Sequence, residues 1–142
     1  MFGICIWAEL SQTNILYQIN KLLAIKCNSQ LHNPHITLEY NSKEKKSDKF
    51  EKCDLKKLGY VYHSVTKNFH SLQQDYINEN KEVYHVSLAY KVNTPFTKSD
   101  INYANTLDIP LKITKDQFDI TIWNCDSVYT KDWFKIFFNI FL

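Results

Sequence analysis

The chain has 142 residues, is 44% hydrophobic and 15% aromatic, and carries a formal charge of +2. That is enough apolar material for one core, so residues 1–142 read as a single domain, and too little net charge to coat long nucleic acid. Every cation is a lysine, which excludes bidentate arginine clamps on phosphate or guanine and leaves lysines, hydroxyls, imidazoles and backbone N–H groups for anion contacts.

Residues 2–9 alternate, with Phe2, Ile4, Ile6 and Ala8 on one face and Cys5, Trp7 and Glu9 on the other, which predicts a strand. The stretch lacks a basic opening and is interrupted by Glu9, so it does not read as a signal peptide. Ser11 can cap a helix running to about Lys26, along which Ile15, Ile19, Leu22 and Leu23 recur at helical spacing. A loop over 28–34 leads to a second strand at 35–40. Residues 41–57 concentrate lysines among acids and read as a solvated loop or short helix.

Strands are predicted over 58–67 and 69–77, a turn at Asn78–Lys81, and another strand over 83–90. Thr97, with Asp100 three residues on, forms a capping box for a short helix to about Asn105. Residues 109–114, 117–125 and 132–141 read as strands. The last aligns Phe134, Ile136, Phe138 and Ile140 as one packed face. The sum is an α+β chain with more strand than helix. No apolar run reaches the roughly 18 residues of a membrane span, so the expectation is a cytoplasmic monomer with no membrane partner. Cys5, Cys27, Cys53 and Cys125 are scattered and are expected to be free thiols rather than disulfides or zinc ligands. With only Gly3 and Gly59, neither a dinucleotide fingerprint nor a Walker loop is possible.

Two segments carry chemistry: Pro34-His35-Ile36-Thr37-Leu38 and Tyr84-His85-Val86-Ser87-Leu88. On a strand, side chains alternate faces, so His35 and Thr37 share one face and Ile36 and Leu38 the other; His85 and Ser87 stand likewise against Val86 and Leu88. His32, His63 and His70 lack this pattern. Cleaving a phosphodiester takes a base for the attacking oxygen and an acid for the leaving oxygen, and imidazole serves either role near neutral pH. Two hydroxyls can bind the non-bridging oxygens. The predicted catalytic residues are therefore His35 and His85, the phosphate-binding residues Thr37 and Ser87, with no metal and no cofactor.

On these residues the chain resembles the 2H phosphoesterase (LigT-like) superfamily, and in particular the plant and fungal cyclic nucleotide phosphodiesterases. Those carry P-H-[VI]-T in a first lobe and H-[LV]-S-L-x-Y in a second, matched here by Pro34 to Thr37 and by His85 to Tyr90. The resemblance implies a bilobal α+β fold, two pseudo-symmetric antiparallel-sheet lobes with flanking helices around a central cleft. It also implies nucleotide contacts at Trp7 and Tyr90, although Tyr90 has the wrong parity for the His85 face on a regular strand. The motifs lie closer together than is usual in the superfamily, implying trimmed intervening helices and a more open cleft.

Substrates in the superfamily are phosphodiesters involving a ribose 2′-oxygen. The expected function is hydrolysis of a small 2′-5′-linked signalling nucleotide, of the 2′-5′ oligoadenylate or 2′,3′-cGAMP type. The Asn-, Lys- and Ile-rich composition without arginine fits an AT-rich genome, and for a minimal viral member the host cytoplasm would be the place of action. The alternative is a 2′,3′-cyclic phosphodiesterase acting on RNA-derived or ADP-ribose cyclic phosphates. The alternative of another class is a non-catalytic nucleotide- or RNA-end-binding module.

Overall fold

In the computed structural model, which describes residues 2–41, 50 and 53–137, two four-stranded antiparallel sheets carry the chain. The elements run β1 (Ile4–Leu10), α1 (Leu16–Cys27), β2 (His35–Tyr40), β3 (Leu55–Thr66), β4 (Phe69–Ile77), β5 (Val83–Val92), α2 (Lys98–Thr106), β6 (Lys112–Ile113), β7 (Phe118–Asn124) and β8 (Phe134–Phe137). The first sheet is ordered β2-β1-β7-β8 and the second β5-β4-β3-β6. The class is α+β. Among the described residues no helix is long and apolar enough to cross a membrane.

The two histidine strands are edge strands of different sheets, and they pack against each other. An edge strand leaves carbonyls unpaired on its open side. On β5 these are taken by α1 and the loop after it: Gln30 N–H donates to Tyr90 O at 2.8 Å, Asn20 Nδ2 to Leu88 O at 3.0 Å, and His32 Nε2 to Ser87 O at 2.8 Å. Asn20 also donates to His32 Nδ1 at 3.1 Å, so both ring nitrogens of His32 are satisfied in the neutral tautomer.

There are two cores. The larger is mainly aliphatic and joins the inner faces of both sheets to the helices, with Ala8, Leu10, Leu16, Leu23, Ile36, Leu38, Leu72, Val86, Leu88 and Phe118 buried in it. The smaller is aromatic, with Trp7, Phe69, Tyr90 and Trp133 buried beside Cys5 and Cys125. It is built on the β1 face of Cys5, Trp7 and Glu9, which is more deeply buried than the Ile4 face; Ile4 is 48% exposed. None of the four cysteines, all of them described, is in a disulfide, and of the four Cys53 alone is not buried.

Helix α1 begins later than its sequence signal. Ser11 bonds Thr13 instead, and Asn14 Oδ1 receives the Leu16 N–H at 2.9 Å. The Thr97–Asp100 capping box is present, with both reciprocal bonds near 3 Å. The strand expected over 109–114 is reduced to Lys112–Ile113, because Pro110 has no N–H for a ladder and its carbonyl is taken by the Tyr76 hydroxyl. The last strand corrects an expectation. Phe134 and Ile136 are 55% and 40% exposed rather than packed; β8 is held through its pairing with β7 and through the preceding Trp133, which is buried in the aromatic core and whose Nε1 donates to Ser127 O at 2.8 Å. Phe138 and Ile140, and most of the lysine-rich 41–57 segment, lie outside the described residues.

Candidate active site

The pairing of β5 with β4 puts His85 opposite Asp75 and Ser87 opposite Gln73, and then skips one residue, so that Ala89 faces Leu72 and Tyr90 faces Ser71. Leu88 is the extra residue of a β-bulge. A bulge offsets the two-residue alternation by one, and Tyr90 thereby joins the face of His85 and Ser87. This removes the parity conflict. The same device recurs on β2: Trp7 pairs Thr37, Ile6 pairs Glu39 and Cys5 pairs Tyr40, with Leu38 as the extra residue. Both strands read H-[IV]-[TS]-L-x-Y, namely His35 to Tyr40 and His85 to Tyr90. Both bulge at the leucine, burying Leu38 and Leu88 in the aliphatic core.

The faces so formed meet in a cleft of about 380 Å³. His35, Thr37, His85 and Ser87 all line it, together with Trp7 and Tyr90. The second sheet adds a polar row in register with the motif, including Tyr62, Ser64, Ser71 and Gln73. His63 and His70 face away from it, their rings 5.4 Å apart beside Phe96.

The two histidines are held differently. His35 is 3% exposed. Its Nδ1 donates to the Asn33 carbonyl at 2.6 Å, which fixes the tautomer and leaves Nε2 for the cleft. Burial, with some repulsion from His32, pushes its pKa down to about 3 against the opposing pull of the Asn33 carbonyl. The imidazole is therefore neutral at ordinary pH. Trp7 stacks on it with ring centroids 3.4 Å apart and planes 6° apart, and Trp123 stacks on the far side of Trp7 at 4.5 Å.

That column is pinned by Glu9, which is 7% exposed. Its carboxylate accepts from Thr121 Oγ1 at 2.9 Å, Trp123 Nε1 at 3.1 Å and Asn33 Nδ2 at 3.2 Å, and pairs with Lys135 at 3.1 Å. A buried carboxylate with this many donors is fully compensated. It orders both Trp123 and the Asn33 loop that holds His35.

His85 stands in the open, its side chain 51% exposed. Its Nδ1 lies 2.6 Å from Asp75 Oδ1. The Tyr62 hydroxyl lies 3.0 Å from the same Asp75 oxygen, 2.9 Å from Gln73 Oε1 and 3.1 Å from His85 Nδ1. Tyr62 reaches this cluster because β3 bulges between Leu58 and Tyr62, a kink that Gly59 permits with its φ of 66°. Gln74 Nε2 covers the freed carbonyls of Leu58 and Gly59, and Asn105 Oδ1 accepts from Val61 N–H.

Both faces of the Trp7 ring are covered, by His35 and by Trp123, so the ring backs the wall that carries His35 and presents no open face to a nucleotide base. Tyr90 is 6% exposed and packed among His32, Phe69 and Trp133. Burial is the first cause pushing its phenol up, so Tyr90 too is part of the wall rather than an open stacking face. Asp75, Tyr62 and Tyr40 were missed from sequence. Tyr40 could have been found from the full six-residue repeat; Asp75 and Tyr62 carry no local signal. Among the described residues no three His, Cys, Asp or Glu side chains converge as metal ligands would. No family model matches this chain, and no curated protein sequence matches it.

Proposed function

We propose that the chain is a metal-independent phosphodiesterase of the 2H type, its two sheets forming the two lobes, acting on a small nucleotide with a ribose 2′-phosphodiester. One observation carries this reading: two imidazoles and two hydroxyls, from equivalent positions of two equally bulged strands, line one cleft. A phosphate between the strands would meet an imidazole on each side. One removes the proton of the attacking oxygen and the other protonates the leaving oxygen. The Thr37 and Ser87 hydroxyls donate to the non-bridging oxygens, where charge grows in the transition state.

The cleft volume lies at the lower end of the roughly 300–1,000 Å³ range of small-molecule sites. That suits one or two nucleosides rather than a long strand. Base contacts fall to the rings at the mouth, Tyr40 and Tyr62, which are less covered than Trp7 and Tyr90. A 2′-5′-linked signalling nucleotide is the favoured substrate, and a 2′,3′-cyclic phosphate is the second.

The test is a substrate panel with purified protein in EDTA: 2′-5′ ApA, 2′,3′-cAMP, cyclic GMP–AMP of either linkage, and 3′-5′ isomers as controls. The reading expects cleavage of a 2′-linked compound in preference to its 3′-5′ isomer. Binding without turnover would make the protein a nucleotide-binding module, and strict dependence on added divalent metal would place it in another mechanistic class.

A further inference from the structure

The two histidines occupy matching strand positions, but their surroundings are opposite in kind. Behind His35 is a neutral carbonyl, that of Asn33, and around it are Trp7, Trp133 and His32. Among the described residues no carboxylate contacts its ring; the nearby Glu9 reaches the side-chain amide of Asn33 instead. Behind His85 is the carboxylate of Asp75 at 2.6 Å, with Tyr62 and Gln73 completing the set. A carboxylate at Nδ1 holds the ring in one orientation and stabilises the imidazolium form. A carbonyl in a dry aromatic wall fixes the tautomer but offers a positive ring far less.

Resting on the phosphodiesterase reading, we infer that the site is a directional acid–base pair, with His35 as the proton acceptor, His85 as the proton donor, and Asp75 as the positioning residue that holds the His85 ring in place through Nδ1 and leaves Nε2 to carry the proton. In the bond-breaking step His35 Nε2 takes the proton of the attacking hydroxyl, a vicinal ribose hydroxyl or water, as its oxygen bonds to phosphorus. His85 gives its Nε2 proton to the leaving ribose oxygen as that P–O bond breaks. The enzyme is left with His35 protonated and His85 neutral, and solvent restores both. The incoming phosphate, itself an anion, offsets part of the burial cost of charge on His35.

Leaving-group dependence tests the direction. Adenosine 2′-(p-nitrophenyl phosphate) expels nitrophenolate, which needs no proton, whereas 2′-5′ ApA expels a nucleoside 5′-oxygen that does. Both are assayed with wild type, His35→Ala, His85→Ala, Asp75→Asn and Asp75→Glu. On ApA, His85→Ala should lose on the order of 10²–10⁴-fold and Asp75→Asn about 10- to 100-fold, the worth of one charge-assisted hydrogen bond. On the nitrophenyl ester both should come within about tenfold of wild type, while His35→Ala stays impaired on both substrates. Asp75→Glu, which keeps the carboxylate, should recover part of the ApA activity. A misfolded variant would lose both substrates alike, so selective rescue separates chemistry from structure. Rescue of His35→Ala by the nitrophenyl ester, or of neither histidine, overturns the assignment. Failure of wild type on both substrates defeats the phosphodiesterase reading itself.

Discussion

β2 and β5 carry nearly the same six residues, the same leucine bulge and the same outward histidine, yet one histidine is sealed and the other is half open. The difference comes from what each strand borders. β2 pairs with β1, whose Trp7 lies in register with Thr37 and covers the His35 ring. β5 pairs with β4, whose Asp75 lies directly opposite His85. A repeated strand motif thus fixes where a functional group points, and the neighbouring strand decides how deeply it is buried and which partner it meets.

The comparison breaks most visibly in catalysis. His35→Ala and His85→Ala should each cost on the order of 10²–10⁴-fold in kcat on a 2′-linked diester, and neither His63→Ala nor His70→Ala should approach that loss. Steady-state rates of the four variants decide it. If His63 or His70 proves as damaging as His35, the wrong pair has been assigned.

The next effect is on stability and belongs to the β2 side alone. Trp7→Ala opens the stack beneath His35 and should cost about 3–5 kcal/mol, as for other buried aromatic truncations. Urea unfolding measures it, and a change under about 1 kcal/mol would mean the stack does not support the wall.

A smaller effect distinguishes the sealed histidines by pH. Burial is the first cause holding His32 at about 4 and His35 at about 3. As pH falls through the ordinary histidine value of about 6.5, the unfolded chain takes up protons that the folded chain refuses. Stability is therefore complete above about pH 6.5 and is lost on acidification toward the folded values. Between pH 7 and pH 5 the loss should be about 2 kcal/mol per histidine. A flat stability between these pH values would show that neither ring is sealed.

The smallest effect lies at the matched hydroxyls. On the proposed chemistry, Thr37→Ala and Ser87→Ala would each remove one hydroxyl donor to the anionic phosphate and should cost about tenfold, the low end for a hydrogen bond to a charged group. Steady-state rates of the two variants check this, and a loss as large as that of His35→Ala would mean that the hydroxyls do more than hold the phosphate.

Alternation alone placed His35 with Thr37 and His85 with Ser87, and the Thr97–Asp100 box and the β4 boundaries are equally local signals. Other features resisted reading for a common reason. Period-two arguments assume a regular strand, and the three bulges on β2, β3 and β5 interrupt it beside the cleft. Tyr90 therefore looked mis-faced, and Tyr62 gave no sign of its reach to Asp75. At β8 the same reasoning found the alternation of Phe134 and Ile136 but not that their face is left exposed.

By itself the sequence determined which side chains could do acid–base chemistry and which neighbours share their strand face, because both follow from residue type and a two-residue period. Only the tertiary structure decided that the two motif strands are facing edges of different sheets, that Trp7 is closed on both sides, and that a carboxylate stands behind one histidine but not the other. Those outcomes depend on strand order, register and bulges, which arise from contacts between residues far apart in the chain and leave no mark within any short stretch of it.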